Sequence, residues 1–188
     1  MYTLPGRTLA DIPVIETSRL RLRANRLDDY DSMFAMWQDP KYYRFIGNSP
    51  RSSGQIWGNL QSSIGSWALF GIGYLTIADR HTDQHMGECG FAITRRAEID
   101  PPLPLIPEAG WGIRTEHWGQ GYMKEAMLGF LDWAVSQDSD FPCQCIINNG
   151  HSASESVAKA LGMSILRTVE YNGNPDDLTN VWQRRPQG

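Results

Sequence analysis

Trp118-Gly119-Gln120-Gly121-Tyr122-Met123-Lys124-Glu125-Ala126 is the stretch around which the rest of the chain is arranged. An apolar run ending Trp111-Gly112-Ile113 precedes it. Met123, Ala126, Met127, Phe130, Leu131 and Ala134 then recur at the spacing of one helix face. The pattern predicts a strand, a glycine loop and an amphipathic helix running to about Gln137. Gly119 and Gly121 have no Cβ, so the backbone can turn tightly and approach a ligand. The first N–H groups of a helix lack intrahelical partners and carry the positive end of its dipole. Such an end favours a phosphate or pyrophosphate. Lys124 adds a point charge. Glu125 suits the dipole, but beside a phosphate it must point away.

Three readings of a glycine loop compete. A P-loop requires a Gly-Lys-Ser/Thr ending, which is missing here. A dinucleotide fingerprint requires a third glycine where Lys124 stands, early in a βαβ unit, and here the loop comes late. The third reading is a tight strand–helix turn that binds nothing.

A later run carries further information: His151-Ser152-Ala153-Ser154-Glu155-Ser156-Val157-Ala158-Lys159-Ala160-Leu161-Gly162-Met163. Together the two stretches resemble the GNAT acetyltransferases, and most of all their RimJ/RimL-type branch. The family loop is Arg/Gln-x-x-Gly-x-Gly/Ala. Trp118 takes its first place, as is usual in that branch, Gly121 the central glycine, and Met123 the final Gly/Ala, where its bulk is a departure. The later run resembles N-x-x-S-x-x-V-x-x-x-L-G-F/M, with Ser154, Val157, Leu161, Gly162 and Met163 in place and His151 where Asn is usual. Gly87-Glu88-Cys89-Gly90-Phe91 resembles a further run of RimL-type proteins.

The resemblance spans roughly residues 15 to 186. It implies an α/β (α+β) GNAT fold with a central mixed, mostly antiparallel twisted sheet of about seven strands and helices on both faces. The element order is β-α-α-β-β-β-α-β-α-β-β. It also implies an acetyl-CoA-dependent N-acetyltransferase in which a primary amine attacks directly within a ternary complex. The acceptor is either a protein N-terminal α-amine or a small-molecule amine. Acetyl-CoA is then expected at Trp111, Ile113, Arg114, Thr115, Trp118, Gly119, Gln120, Gly121, Tyr122, Met123, Lys124, His151 and Ser154, with backbone N–H near Trp111 to Ile113 as oxyanion donor.

Direct acyl transfer needs a proton acceptor, since a lysine-like ammonium has a pKa near 10.4. It needs no metal and no covalent nucleophile, and no Gly-x-Ser-x-Gly elbow or Cys/His signature is present. By resemblance the catalytic candidates are Glu108, which feeds the loop, Glu170 in Val169-Glu170-Tyr171-Asn172-Gly173, and Ser154 beside the thioester sulfur. Each glutamate reads equally as a solvated strand end, and Ser154 as a solvated first-turn serine. His151, with an ordinary pKa near 6.5, is a further base candidate or a plain loop histidine. The tyrosine acid of many family members has no counterpart, because its place is Ala158. Two other classes stand beside the enzyme: a non-catalytic acyl-CoA-binding or regulatory module of the same fold, and a nucleotide-binding oxidoreductase.

The 188 residues, 41% hydrophobic with net charge −4, suit one ordinary globular domain (14–188) behind an N-terminal arm (1–13). No basic patch suggests nucleic acid, and no apolar run suggests a membrane partner. Cys89, Cys143 and Cys145 have no zinc spacing and fit buried thiols of a cytoplasmic protein, monomer or homodimer.

Elsewhere Arg19 to Arg23 alternates as a half-buried strand with a solvated arginine face. Asp28 and Asp29 start a helix that Pro40 ends. Ile56 to Ile64 forms a second helix, and the resemblance implies that residues around Tyr42 to Ile64 help choose the substrate. Tyr74 to Asp79 and Gly87 to Thr94 pair through the turn His81 to Gln84. Arg95 to Pro107 is too Pro-rich for a regular element and reads as an ordered flap beside the acceptor site. Cys143 to Ile147 is a strand. Ser152-x-x-Glu155 reads as a capping box opening a helix that Gly162 closes. Met163 to Val169 and Thr179 to Arg184 form a final pair joined by the turn Asn172 to Pro175.

Overall fold

A computed structural model describes residues 1–44, 46–174 and 176–184. In chain order the elements are β1 (Ile15–Glu16), β2 (Leu20–Arg23), α1 (Tyr30–Gln38), α2 (Pro40–Tyr43), α3 (Ser53–Phe70), β3 (Tyr74–Asp79) and β4 (His85–Ala92). β5 (Glu108–Ile113), α4 (Tyr122–Gln137), β6 (Cys143–Asn148), α5 (Ser152–Ala160), β7 (Met163–Glu170) and β8 (Leu178–Arg184) follow. The strands form a single mixed sheet in the order β1-β2-β3-β4-β5-β6-β8-β7. Every neighbouring pair is antiparallel except β5–β6.

The periodicity of the central helix sets the layering. Ala126, Met127, Phe130, Leu131 and Ala134 are buried on α4. They pack in one core cluster with Leu75, Cys89, Phe91, Ala109 and Ile113 of the sheet and with Val157, Ala158 and Leu161 of α5. Fully burying one such side chain contributes roughly 2 kcal/mol. α1 lies on the opposite face, where Met33, Met36 and Trp37 meet Tyr42 and the first half of α3 through Ile56 and Leu60. α3 spans both layers, since Trp67 near its end stacks on Phe130 of α4 at 6.0 Å.

Several expectations are corrected. The sheet has eight strands rather than about seven, because Ile15–Glu16 pairs with β2. Pro40 opens a short helix instead of only ending one; it sits at the first helical position, where its missing N–H costs nothing, and Asp39 caps Lys41 N–H. Ser152 is not an N-cap: it is the first residue of α5, whose N-cap position is His151 without a side-chain capping bond. The arginine face of residues 19 to 23 is solvated only in part: Arg23 is buried, and the more open Arg21 and Arg19 are held in ion pairs. Arg23 pairs with buried Asp29 at 2.8 Å, Arg21 with Glu16 at 3.0 Å, and Arg19 with Glu125 at 2.6 Å.

The first residues of the chain dock. Tyr2 donates to Asp138 at 2.6 Å and packs edge-on to Phe141, and the N–H groups of Leu4 and Arg7 donate to the carbonyls of Phe70 and Trp67. The flap after β4 is ordered, as expected. Ile99 is buried against Val169 and Val181, and Gln144 donates to the Pro104 carbonyl at 3.0 Å. Gly162 takes a left-handed φ of +74° where it closes α5. Of the turn expected at Asn172 to Pro175, Pro175 lies outside the described residues.

Candidate active site

The site begins where the sheet opens. β5 and β6 share a single registered pair, Glu108 with Gln144, and then diverge. Direction along β5 follows from its other edge. Arg114 N–H donates to the Met86 carbonyl of β4 at 2.9 Å. Main-chain groups alternate sides along a strand. The N–H groups of Trp111 and Ile113 therefore face the gap.

A cleft of about 620 Å³ occupies this gap. Its walls are Trp111–Ile113, the loop and first turn of α4 at Trp118, Gly119, Gly121, Tyr122, Met123 and Lys124, and the start of α5 from Gly150 to Ser154. Its far end reaches Tyr42, Arg44 and Ile46. Gly119 and Gly121 have φ of +75° and +80°, the left-handed region that costs other residues roughly 1–2 kcal/mol. Gly121 is the N-cap of α4 and offers no capping side chain, so the first N–H groups of the helix are presented at the cleft wall.

Glu125 points away from that end, as the sequence argument required. Its carboxylate accepts from Thr17 Oγ1 at 2.6 Å, Ser18 Oγ at 2.9 Å, and Arg19 N and Nε at 2.8 and 2.6 Å. Burial alone would raise its pKa, but these donors outweigh burial and hold it at about 2. Arg19 also reaches the Gln120 carbonyl at 3.0 Å and lies 4.1 Å over the Tyr122 ring. The loop is thus clasped to β2 from behind.

The indole of Trp118 donates to the Ile113 carbonyl at 2.9 Å, closing the loop onto the strand. Met123, where the resemblance has Gly or Ala, packs on the core from the cleft wall. Trp111 Nε1 donates to Ser154 Oγ at 3.4 Å across the gap, so Ser154 stands inside the cleft. His151 also lines it, and burial lowers its pKa, favouring the neutral ring.

The other expected residues lie elsewhere. Arg114 binds Glu116 at 2.7 Å and Ser32 at 2.9 Å, Thr115 binds Asp39 at 2.6 Å, and Gln120 donates to the Glu116 carbonyl at 3.0 Å; none of their side chains lines the cleft. Glu108 is buried under the flap. Arg96 grips it with Nε at 3.1 Å from each carboxylate oxygen and with Nη2 at Oε1, and Thr94 donates at 2.8 Å. Glu170 lines a separate hollow between the flap and β7, beside Glu98, Asp100 and Arg167. The structure therefore brings Ser154, His151 and the loop together and leaves both glutamates outside the cleft. Cleft residues given no role in the sequence reading are His117, Gly150, Ala153 and Ser156, while Ser152, expected only as a cap, and Val157, expected only as a motif position, also line it. Ser152 and Ser156 flank Ser154 around the first turn of α5, a proximity that the helical repeat alone could have signalled.

Comparison with known proteins agrees with this geometry. The family model described as "Acetyltransferase (GNAT) domain" matches residues 19–164. The N-acetyltransferase p20 of Bacillus licheniformis, itself uncharacterized, is 28% identical over 125 residues, 64% of this chain and 65% of that protein. The acetyltransferase of Agrobacterium tumefaciens str. C58 superposes with a TM-score of 0.73 at 25% identity, covering 90% of this chain and 94% of that one. RimL, the ribosomal L7/L12 alpha-N-protein acetyltransferase solved in complex with coenzyme A, shares the fold with a TM-score of 0.69 at 15% identity, over 93% of this chain and 97% of its own. The matched segment exceeds half of the sequence and contains the loop, the diverging strands and the start of α5: the chain belongs to the GNAT acetyltransferase family.

Proposed function

We propose that the protein transfers an acetyl group from acetyl-CoA to a primary amine, by direct attack within a ternary complex. One observation carries the reading. The β5–β6 ladder stops after one pair, and the N–H groups of Trp111 and Ile113 face a cleft whose other wall is the uncapped, glycine-lined end of α4. That arrangement fits the elongated outline of a coenzyme A thioester and its doubly charged pyrophosphate. Main-chain donors beside α4 suit its pyrophosphate. Those on β5 suit the charge that develops on a carbonyl oxygen. Bound acetyl-CoA supplies the activated acyl group, and the chain supplies aim and hydrogen bonds.

Ser154 is assigned to the thioester sulfur in this reading, which its position inside the gap supports. Glu108 can act as base only by leaving Arg96, and Glu170 only by reaching out of the second hollow. Unaltered turnover in both Glu108→Gln and Glu170→Gln would remove them from the chemistry. The acceptor is a protein α-amine or a small amine. RimL supports the first by its title alone, at an identity that speaks for fold only. Three buried, unpaired cysteines support a reducing, cytoplasmic setting for a monomer or homodimer.

Thermal unfolding with coenzyme A, acetyl-CoA and NAD tests the binding, because a ligand that prefers the native state raises the midpoint. A rise with the first two and none with NAD is expected. Thiol release from acetyl-CoA with a panel of primary amines tests the transfer. Binding without release under any amine would favour the non-catalytic module.

A further inference from the structure

The gap between β5 and β6 is closed on both faces at the level of Trp111 to Ile113. Toward α4, Trp111 Nε1 spans it by donating to Ser154 Oγ at 3.4 Å. Toward α1 the closing group is Tyr42, which forms the far end of the cleft with Arg44 and Ile46. That phenol has no part in binding or transfer as described above.

Its position is built from the strand outward. Side chains alternate along β5, so the face opposite Trp111 belongs to Gly110 and Gly112 and carries no side chain there. Two phenols fill the space. A Cβ at Gly112 would lie 2.0 Å from the Tyr42 hydroxyl oxygen and 2.8 Å from its Cζ, and one at Gly110 would lie 1.8 Å from the Tyr74 hydroxyl oxygen. The tip of Tyr42 therefore rests on the backbone between the Trp111 and Ile113 N–H groups, and Tyr74 blocks the way further along the strand.

Tyr42 is also fixed from behind. It is 5% exposed, Trp37 meets its ring edge-on at 5.0 Å, and the Arg51 guanidinium lies 3.9 Å over Trp37. Its helix is tied to the strand that it closes: Asp39, the N-cap of α2, accepts from Thr115 Oγ1 at 2.6 Å, two residues beyond β5. The ring cannot swing aside without moving α2. Burial pushes its pKa up, so the wall stays uncharged.

We propose that Tyr42 is the stop that sets acyl length: the gap admits an acetyl group and refuses longer chains, because the phenol occupies the room their third and later carbons need. This rests on the acetyltransferase reading above. A thioester carbonyl accepting from the Trp111 or Ile113 N–H sits about 2.9 Å from that nitrogen. Its sulfur leads back along the cleft toward α4, so its acyl substituent points the other way, at the hydroxyl over Gly112. A methyl group fits beside a packed ring, whereas each further methylene has to displace it.

The test is thiol release from acetyl-, propionyl-, butyryl- and hexanoyl-CoA, each with ethanolamine, phenethylamine, spermidine and an Ala-Ala-Ala peptide. In wild type, kcat/KM for the acyl donor should fall about tenfold or more per added methylene. Tyr42→Ala should raise the butyryl-to-acetyl ratio about tenfold or more. A wild type that uses butyryl-CoA as well as acetyl-CoA, or a Tyr42→Ala ratio equal to that of wild type, overturns the stop and leaves the transferase reading in place. A changed amine preference at an unchanged acyl ratio would give Tyr42 to the acceptor and overturns the stop as well. A wild type that releases no thiol from any donor with any amine overturns the transferase reading and the stop with it. Should Tyr42→Ala fail to fold, Tyr42→Phe removes the hydroxyl alone. It should raise the propionyl-to-acetyl ratio severalfold, and an unchanged ratio overturns the proposal.

Discussion

The two sides of β5 are made of different materials. Toward β6 the strand offers main-chain N–H groups, helped by glycine geometry and the end of a helix. Toward α1 its only large side chain is its own Glu108, and the other polar groups there come from Glu88, Tyr42 and Tyr74 around it. A backbone site tolerates almost any residue with the right φ, and a side-chain site fails with a single atom. One strand therefore carries a permissive, main-chain edge and an exacting, side-chain face.

The largest expected effect probes the exacting side. Glu108→Gln leaves Arg96 facing a neutral amide under the flap, and breaking such a largely buried pair costs about 3 kcal/mol. A midpoint drop on thermal unfolding with an undiminished coenzyme A shift would keep the two sides distinct, whereas loss of coenzyme binding would merge them. Gly112→Ala comes next. Its methyl overlaps the Tyr42 hydroxyl, so the phenol must move. A displacement near 1 Å should lower kcat/KM for the amine by about 10²-fold while coenzyme A still binds.

The pH dependence follows with a definite sign. Glu88 has its pKa raised from 4.5 to about 7 in the folded chain. Its contribution to stability is therefore full below pH 4.5 and lost as pH rises through 7. Unfolding midpoints of wild type minus Glu88→Gln should fall across that window, and a flat difference would mean the carboxylate is well solvated.

The permissive side yields smaller numbers. Gly121→Ala forces a Cβ into left-handed backbone with no close neighbour but Arg19, 3.7 Å away. KM for acetyl-CoA should rise about tenfold, matching roughly 1–2 kcal/mol of strain. Trp118→Phe removes one hydrogen bond to the Ile113 carbonyl and should cost about 1 kcal/mol of stability.

The same contrast explains what could be read from the sequence. The glycine loop, the helix after it and the strand before it are local in sequence, so spacing alone located them. The orientation of Glu125 also followed from charge. The surroundings of Glu88 draw on residues 25, 42, 74, 88 and 112: the register of β3, β4 and β5 brings the last three together, while Asn25 and Tyr42 arrive from the chain after β2 and from α2. The one local sign was a glutamate between glycine and cysteine in an otherwise apolar, mostly buried strand. Glu108 illustrates the reverse case. Its place on β5 was legible, but Arg96, twelve residues earlier on a flap with no periodicity, decides what its carboxylate does. The capping role expected of Ser152 failed for a smaller reason: the chain enters α5 one residue earlier, at His151.

The clasp of Glu125 on Thr17, Ser18 and Arg19 bears on timing. A loop and helix start braced by five donor–acceptor contacts to the turn between β1 and β2 keep their curvature with the cleft empty. Association then requires little ordering of the chain. Backbone NMR order parameters over Gly119 to Met123 should be high already in the free protein, and severing the brace with Glu125→Ala should lower them and turn a rigid dock into one that must assemble around its guest.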